Sequence, residues 1–366
     1  MRLALVCRPF SFHGGVETAT AGLLAALASH GHAVDLISTR AQEDVPGVRV
    51  RRLPVVRQPS LARLVSFALL ARRAVRRGAY DLVQSHERTL LQDVYRAGEG
   101  SHRGYLAAMG RGEDRVGSYH RMVKYLERRA FQLDGTRHIV AIAAQGRDEI
   151  MRLFGTPPEA VSVVYNGVDL ARFHPDGRAR WRDETRAALG VPAEAWLVLF
   201  VGSGFARKGL DTLIEALGAL KDAWLVVAGK GDTAPHARAA ERLGIAERVR
   251  WLGPRPDVER LYAAADAVAL PARYEPFGNV HLEALAAGVP VVSSRRAGGA
   301  EVIEDGRNGW VVPPADPPAL TAALARLRDA DPRVLAEAAR RSAEPFTHAA
   351  WVERLTGLYR RLAPGA

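Results

Sequence analysis

Leu270-Pro271-Ala272-Arg273-Tyr274-Glu275-Pro276-Phe277-Gly278-Asn279-Val280-His281-Leu282-Glu283-Ala284-Leu285-Ala286-Ala287-Gly288 is the stretch from which the fold is read. An apolar run ends at Leu270, a loop with Pro271, Pro276 and Gly278 follows, and Val280–Ala287 has the spacing of a buried helix. In open α/β sheets, ligands collect outside the carboxyl ends of the strands, where such a loop must lie. The first amides of a helix lack intrahelical partners and carry partial positive charge, and Gly278 has no side chain to keep an anion away from them. Phe277, Gly278, Asn279 and Val280 are therefore read as a diphosphate cradle. Glu283, flanked by Leu282, Leu285 and Ala286, is placed to accept from vicinal ribose hydroxyls, and Glu275 to meet a sugar beyond the diphosphate.

Outward from this stretch, short apolar runs alternate with helical patterns, the signature of parallel α/β architecture. Strands are expected at Leu3–Cys7, Val34–Ser38, Val48–Leu53, Leu82–Gln84, Ile139–Ile142 and Val161–Val164. A second set is expected at Leu197–Val201, Leu225–Ala228, Val249–Leu252, Ala267–Leu270 and Val291–Ser293. Helices are expected at Val16–Ser29, Leu61–Arg77, Leu210–Leu220 and Val280–Ala287. Two such sets predict two doubly wound domains, 1–165 and 181–345, joined by a linker at 166–180 where turn residues cluster. The last helix, Thr347–Leu362, carries an apolar stripe of Trp351, Leu355, Leu358 and Leu362 that must pack on something.

Two further loops agree with the first. Val201-Gly202-Ser203-Gly204-Phe205-Ala206-Arg207-Lys208-Gly209 follows one expected strand, and Phe12-His13-Gly14-Gly15-Val16-Glu17 follows another. Paired glycines at Gly14 and Gly15 let the backbone approach a ligand at the start of a helix. Gly202-Ser203-Gly204 lacks the third glycine of a dinucleotide fingerprint, which argues against a dehydrogenase. Asp329-Ala330-Asp331, the only Asp-x-Asp, sits before a helix and reads as a cap, so no metal is expected.

The spacing of Glu275 and Glu283, with Pro-Phe-Gly after the first and Glu-Ala-Leu-Ala-Ala-Gly-Val-Pro-Val-Val at the second, resembles the retaining glycosyltransferases of family 4. The resemblance implies a GT-B fold: two facing Rossmann-like domains with parallel sheets, and a C-terminal helix (346–366) crossing back to the N-terminal domain. It implies a nucleotide-sugar donor bound by the C-terminal domain, with Glu275 on the sugar, Glu283 on the ribose and Lys208 on the leaving diphosphate. It also implies retention of configuration, with the donor phosphate taking the acceptor proton, and no cofactor. The arginine usual in the family is replaced by Ser203, so Arg207 either substitutes for it or faces solvent. His86, just after a strand, sits where many members place a histidine near the donor sugar, and Glu99 is an acid suited to orienting the acceptor.

The formal charge of +11 favours anionic partners. Cys7 is the only cysteine, so no intramolecular disulfide is possible, as suits a reducing compartment. No run reaches the roughly 18 apolar residues of a membrane span. Residues 103–129 mix Tyr105, Tyr119 and Tyr125 with Arg103, Arg111, Arg115, Arg121, Lys124, Arg128 and Arg129, a composition suited to an anionic membrane interface. Gly-Ser-x-Phe-x-Arg-Lys-Gly at Gly202–Gly209 and Asp93-Val94-Tyr95 are similar to the lipopolysaccharide core glucosyltransferase I group. That likeness implies UDP-glucose as donor, a heptosylated lipid core as acceptor (Glu99, Arg103 and Arg121 facing it) and a place on the cytoplasmic face of the inner membrane. Another acceptor, such as an exopolysaccharide lipid intermediate or a small metabolite, stays open. A nucleic-acid binder is motivated by charge alone and lacks a recognition motif.

Overall fold

A computed structural model describes residues 1–9, 15–29, 31–40, 42–112 and 116–363, with the side chains of 15–19 outside that description. The chain forms two compact units, Met1–Gly167 with His348–Ala366, and Val168–Thr347. In unit 1 the order is β1 (Arg2–Val6), α1 (Gly15–Ser29), β2 (Ala33–Thr39), β3 (Arg49–Leu53), α2 (Ser60–Arg77), β4 (Leu82–Ser85) and β5 (Val94–Arg96). Then follow α3 (His102–Ala108), α4 (Ser118–Phe131), β6 (His138–Ala141), α5 (Ala144–Phe154) and β7 (Val161–Val163). Unit 2 begins with α6 (Asp176–Leu189), β8 (Trp196–Val201), α7 (Leu210–Gly218), β9 (Ala223–Ala228), α8 (Ala234–Arg242) and β10 (Val249–Gly253). It continues with α9 (Val258–Ala264), β11 (Ala267–Leu270), α10 (Val280–Ala286), β12 (Val291–Ser294), β13 (Gly309–Val312), α11 (Pro317–Asp329) and α12 (Pro332–Ala343). The final helix, α13 (His348–Leu362), belongs to unit 1.

Both sheets are wholly parallel, with strand orders β3-β2-β1-β4-β5-β6-β7 and β10-β9-β8-β11-β12-β13. Helices on both faces bury a parallel sheet, so its strands read as continuous apolar runs rather than alternating ones. Trp-Leu-Val-Leu-Phe-Val in β8 and Ala-Trp-Leu-Val-Val-Ala in β9 show this, and Leu197–Phe200 and Leu225–Ala228 are buried. In each sheet the winding reverses once, between β1 and β4 and between β8 and β11. The loops leaving the carboxyl ends of these strand pairs diverge, and this divergence forms the ligand crevice of a doubly wound sheet.

The stripe of α13 finds its partner within unit 1. Trp351, Leu355, Leu358 and Tyr359 pack with Leu3, Leu5, Leu23, Leu24 and Val94 in one core. Each such side chain contributes about 1.5–3 kcal/mol when fully buried.

Three details depart from expectation. β5 and β13 were not anticipated from the sequence; they are three and four residues long, and one ends in Arg96 while the other opens on Gly309. Residues 176–180, expected in the linker, form the first turn of α6, and unit 2 already starts at Val168. The glycine loop falls largely outside the described residues: Gly14 lies there, and Gly15 opens α1.

Candidate active site

The reversal between β8 and β11 sets two loops side by side. The carbonyl of Arg207, after β8, accepts from the amide of Arg273, after β11, at 2.9 Å. Gly209 makes this approach possible: its φ is +75°, and a Cβ there would lie 2.0 Å from the Pro271 carbonyl oxygen. Gly202 does the same for a side chain, since a Cβ on it would stand 2.4 Å from Lys208 Nζ. These backbone constraints bring Lys208 and Arg207 onto Glu275, with Lys208 Nζ 3.2 Å and Arg207 Nη1 3.0 Å from Glu275 Oε2. The Glu275 loop is pinned in turn by its amide to the Arg296 carbonyl (3.0 Å) and by the Gly298 amide to the Glu275 carbonyl (2.8 Å).

Burial alone would raise the pKa of Glu275; Lys208 and Arg207 outweigh it and hold the carboxyl below its usual range. The side chains of Lys208 and Glu275 are only 10% and 11% exposed. Two cations share this one carboxylate, so the trio carries a net positive charge. Arg207 also donates to the Tyr274 carbonyl at 2.8 Å, so its guanidinium turns into the site rather than to solvent. Ser203, at the position of the expected arginine, accepts from the Lys230 amide instead.

Further along, Glu283 accepts from the Tyr262 hydroxyl at 2.7 Å, and burial raises its pKa. Phe277 and Val280 are buried, so of the expected cradle only their main chain is available to a ligand, while Gly278 takes φ +84°. Asn279 is the N-cap of α10 and makes no side-chain cap bond. His281, wholly buried, braces this turn through Nδ1 to the Gly278 carbonyl (2.6 Å) and Nε2 to Ser293 Oγ (2.7 Å). Neither Tyr262 nor His281 was singled out in the sequence. Each lies on a short helix that carries other polar residues, Glu259 and Arg260 beside Tyr262 and Glu283 beside His281, and only its contact reveals a role.

In unit 1 the reversal between β1 and β4 gathers a different set. Arg8, past β1, pairs with Glu87, past β4, at 2.7 Å and also with Glu99, which Arg88 meets at 2.5 Å. Burial favours a neutral carboxyl in both acids; it prevails at Glu87, whereas Arg88 and Arg8 hold Glu99 below its usual range. Arg88 reaches on to the fully buried Glu127 of α4 (3.5 Å), whose carboxylate also accepts from the His102 and Arg103 amides and so caps α3. His86 contacts Gln84 at 2.8 Å. Arg103 donates to the Leu153 carbonyl at 3.3 Å and Arg121 is exposed on α4; neither joins Glu99, whose ion-pair partners are Arg8 and Arg88. Asp331 caps α12 through the Arg333 amide, and among the described residues no cluster of His, Cys, Asp or Glu could hold a metal. No helix among the described residues is long and apolar enough to cross a membrane.

Residues 182–342 match the model for glycosyl transferases group 1, and residues 13–172 match that for glycosyltransferase family 4. A D-inositol 3-phosphate glycosyltransferase of Thermomonospora curvata is 31% identical over 94% of this chain and 90% of its own length. The chain belongs to glycosyltransferase family 4. A second D-inositol 3-phosphate glycosyltransferase, from Mycolicibacterium gilvum, is 36% identical over 63% of the chain, which spans only 53% of that relative. Among solved structures, WaaG, a glycosyltransferase involved in lipopolysaccharide biosynthesis, matches 99% of this family 4 chain and all of its own, with TM-score 0.85 and 26% identity. Anabaena Alr3699/HepE in complex with UDP-glucose matches 99% of the chain with TM-score 0.75 and 21% identity, a likeness of fold. The fold is GT-B, and membership of family 4 makes the chain a glycosyltransferase.

Proposed function

We propose that the chain is a retaining, metal-independent hexosyltransferase that carries glucose from UDP-glucose to the heptosyl inner core of a lipopolysaccharide acceptor. The observation that carries the donor half is the Lys208–Glu275–Arg207 cluster, whose net positive charge suits a nucleotide diphosphate. On this reading Lys208, Arg207 and the main chain of Phe277–Val280 hold the diphosphate. Glu275 meets the sugar, and Glu283, braced by Tyr262, takes the ribose hydroxyls. The bond from anomeric carbon to phosphate oxygen breaks, and the acceptor oxygen bonds to the same face of that carbon. The acceptor proton passes to the departing phosphate. Charge developing on the diphosphate is met by preorganised cations, each worth about 3–4 kcal/mol of barrier by analogy with oxyanion donors.

Support for the acceptor half is the likeness to WaaG along nearly the whole chain, together with the exposed Tyr119, Tyr125, Arg121 and Arg128 of α4. These suit peripheral contact with an anionic membrane, in this reading the cytoplasmic face of the inner membrane. A second reading, transfer to a phosphorylated small molecule, is favoured by the relatives named as D-inositol 3-phosphate glycosyltransferases.

Calorimetry with UDP, GDP, ADP, UDP-glucose and UDP-GlcNAc in EDTA, on wild type and Glu283→Ala, tests the donor site. Tight binding of one nucleotide that Glu283→Ala abolishes is the expected result; a requirement for a divalent metal refutes it. Transfer assays offering heptosylated core and inositol 3-phosphate side by side then decide between the two acceptors.

A further inference from the structure

Tyr359 of α13, Gln84 of β4 and His86 form a short polar chain beneath the carboxyl edge of the unit 1 sheet. The Tyr359 hydroxyl lies 2.7 Å from Gln84 Oε1, and Gln84 Nε2 lies 2.8 Å from His86 Nε2. Tyr359 and Gln84 are 1% and 2% exposed. A buried hydroxyl proton left without an acceptor is costly, and Gln84 is the hydrogen-bond partner of Tyr359 in the described structure. The amide oxygen of Gln84 must therefore face Tyr359, which turns its NH₂ group to His86. An amide nitrogen only donates, so His86 Nε2 must be the acceptor and carry a bare lone pair. A neutral imidazole has one N–H, and here it sits on Nδ1.

The electrostatic setting keeps the ring neutral. Burial and the neighbouring guanidinium of Arg96 push the His86 pKa well below its ordinary value. Arg96 ends the adjacent strand β5; it bonds Asn166 and stacks on Trp351, and no carboxylate among the described residues offsets its charge. His86 is half-buried, and the one hydrogen bond of its ring among the described residues is through Nε2.

We propose that Tyr359 and Gln84 are positioning residues that lock His86 as the Nδ1–H tautomer, so that it offers substrate a hydrogen-bond donor and not a base. The proposal rests on the reading of His86 as substrate-facing. His86 then donates from Nδ1 to a substrate oxygen, and its other nitrogen is already occupied. It cannot take the acceptor proton, which leaves the departing phosphate as the group that does.

Two-bond ¹H–¹⁵N correlation spectra of ¹⁵N-labelled wild type, with His86 assigned by His86→Asn, read the tautomer without any turnover. The expected spectrum has a protonated Nδ1 and a bare Nε2 at neutral pH. Gln84→Glu places an acceptor oxygen against Nε2 and should put a proton on that nitrogen, a change that the same spectra read directly. Tyr359→Phe, the milder variant, frees the amide to rotate and should give a mixture of tautomers. A proton on Nε2 in wild type, or an unchanged tautomer in both variants, overturns the proposal while leaving the glycosyltransferase reading intact. Wild type that shows the expected tautomer yet binds no nucleotide sugar refutes that wider reading and not the lock.

Discussion

Replacing Tyr262 by Phe removes one oxygen, the one that donates to Glu283 at 2.7 Å. The ring stays packed edge-on against Phe173, with centroids 5.6 Å apart, so the fold should hold. Burial raises the Glu283 pKa, and the Tyr262 hydrogen bond is the first influence opposing that rise. A hydrogen bond to a charged group is worth about 1.5–3 kcal/mol. At 1.36 kcal/mol per pKa unit, its loss should lift the pKa by a further one to two units or so. If Glu283 accepts from ribose hydroxyls it must be ionised, because a protonated carboxyl offers a donor in place of an acceptor. UDP affinity should therefore fall on the acid side in both proteins. In Tyr262→Phe the falling limb should begin about one to two pH units higher. Calorimetric titration with UDP between about pH 5 and 8 measures this directly. Superimposable profiles would refute both the ribose contact and the bracing role of Tyr262.

Lys208→Ala should lower kcat for transfer by roughly 10² to 10³, the loss of one preorganised charge at the leaving group, and a rate within twofold of wild type would exclude Lys208 from that role. Glu275 has a depressed pKa in the fold, so its stabilisation is present above the ordinary carboxyl value and is lost as pH falls through the lower folded value. Urea unfolding should therefore show wild type losing stability below about pH 4 more steeply than Glu275→Gln, and parallel curves would contradict the ion-pair assignment. Glu127→Ala strips Arg88 of a buried partner and uncaps α3, and should destabilise by about 3–5 kcal/mol in denaturant melts; a change under about 1 kcal/mol would mean that water replaces the carboxylate.

Most of the architecture was legible because parallel strands buried on both faces leave uninterrupted apolar runs such as Leu197–Val201. β5 escaped because Val94–Arg96 is three residues long and ends in a charge, whose burial against Trp351 no pattern announces. Glu275 and Glu283 were legible as a motif, since spacing along one loop and helix is local. The clasp of Lys208 on Glu275 was not, because it joins residues 67 positions apart in the chain and exists only where the winding reverses. Arg207 shows the same limit: sequence left it either in the site or in solvent, and its bonds to Glu275 and the Tyr274 carbonyl decide for the site. In unit 1, Glu99 stood out as an acid, but its partners Arg8 and Arg88 are set by the β1–β4 junction rather than by proximity in sequence.

The order in which the chain leaves the ribosome differs from the order in which its units are completed. Unit 2, residues Val168–Thr347, is contiguous and emerges whole. Unit 1 has its sheet from residues before 168, yet Trp351, Leu355, Leu358 and Tyr359 arrive only with the final helix. Until then the apolar surface of Leu3, Leu5, Leu23 and Leu24 lacks this cover through the synthesis of about 180 further residues, some ten to forty seconds at ordinary elongation rates. The second half of the protein is thus finished first, and the nascent N-terminal half must be kept from aggregating while it waits for its last apolar stripe. A premature stop codon just before residue 348 would spare unit 2 and leave unit 1 a client for chaperones and proteases.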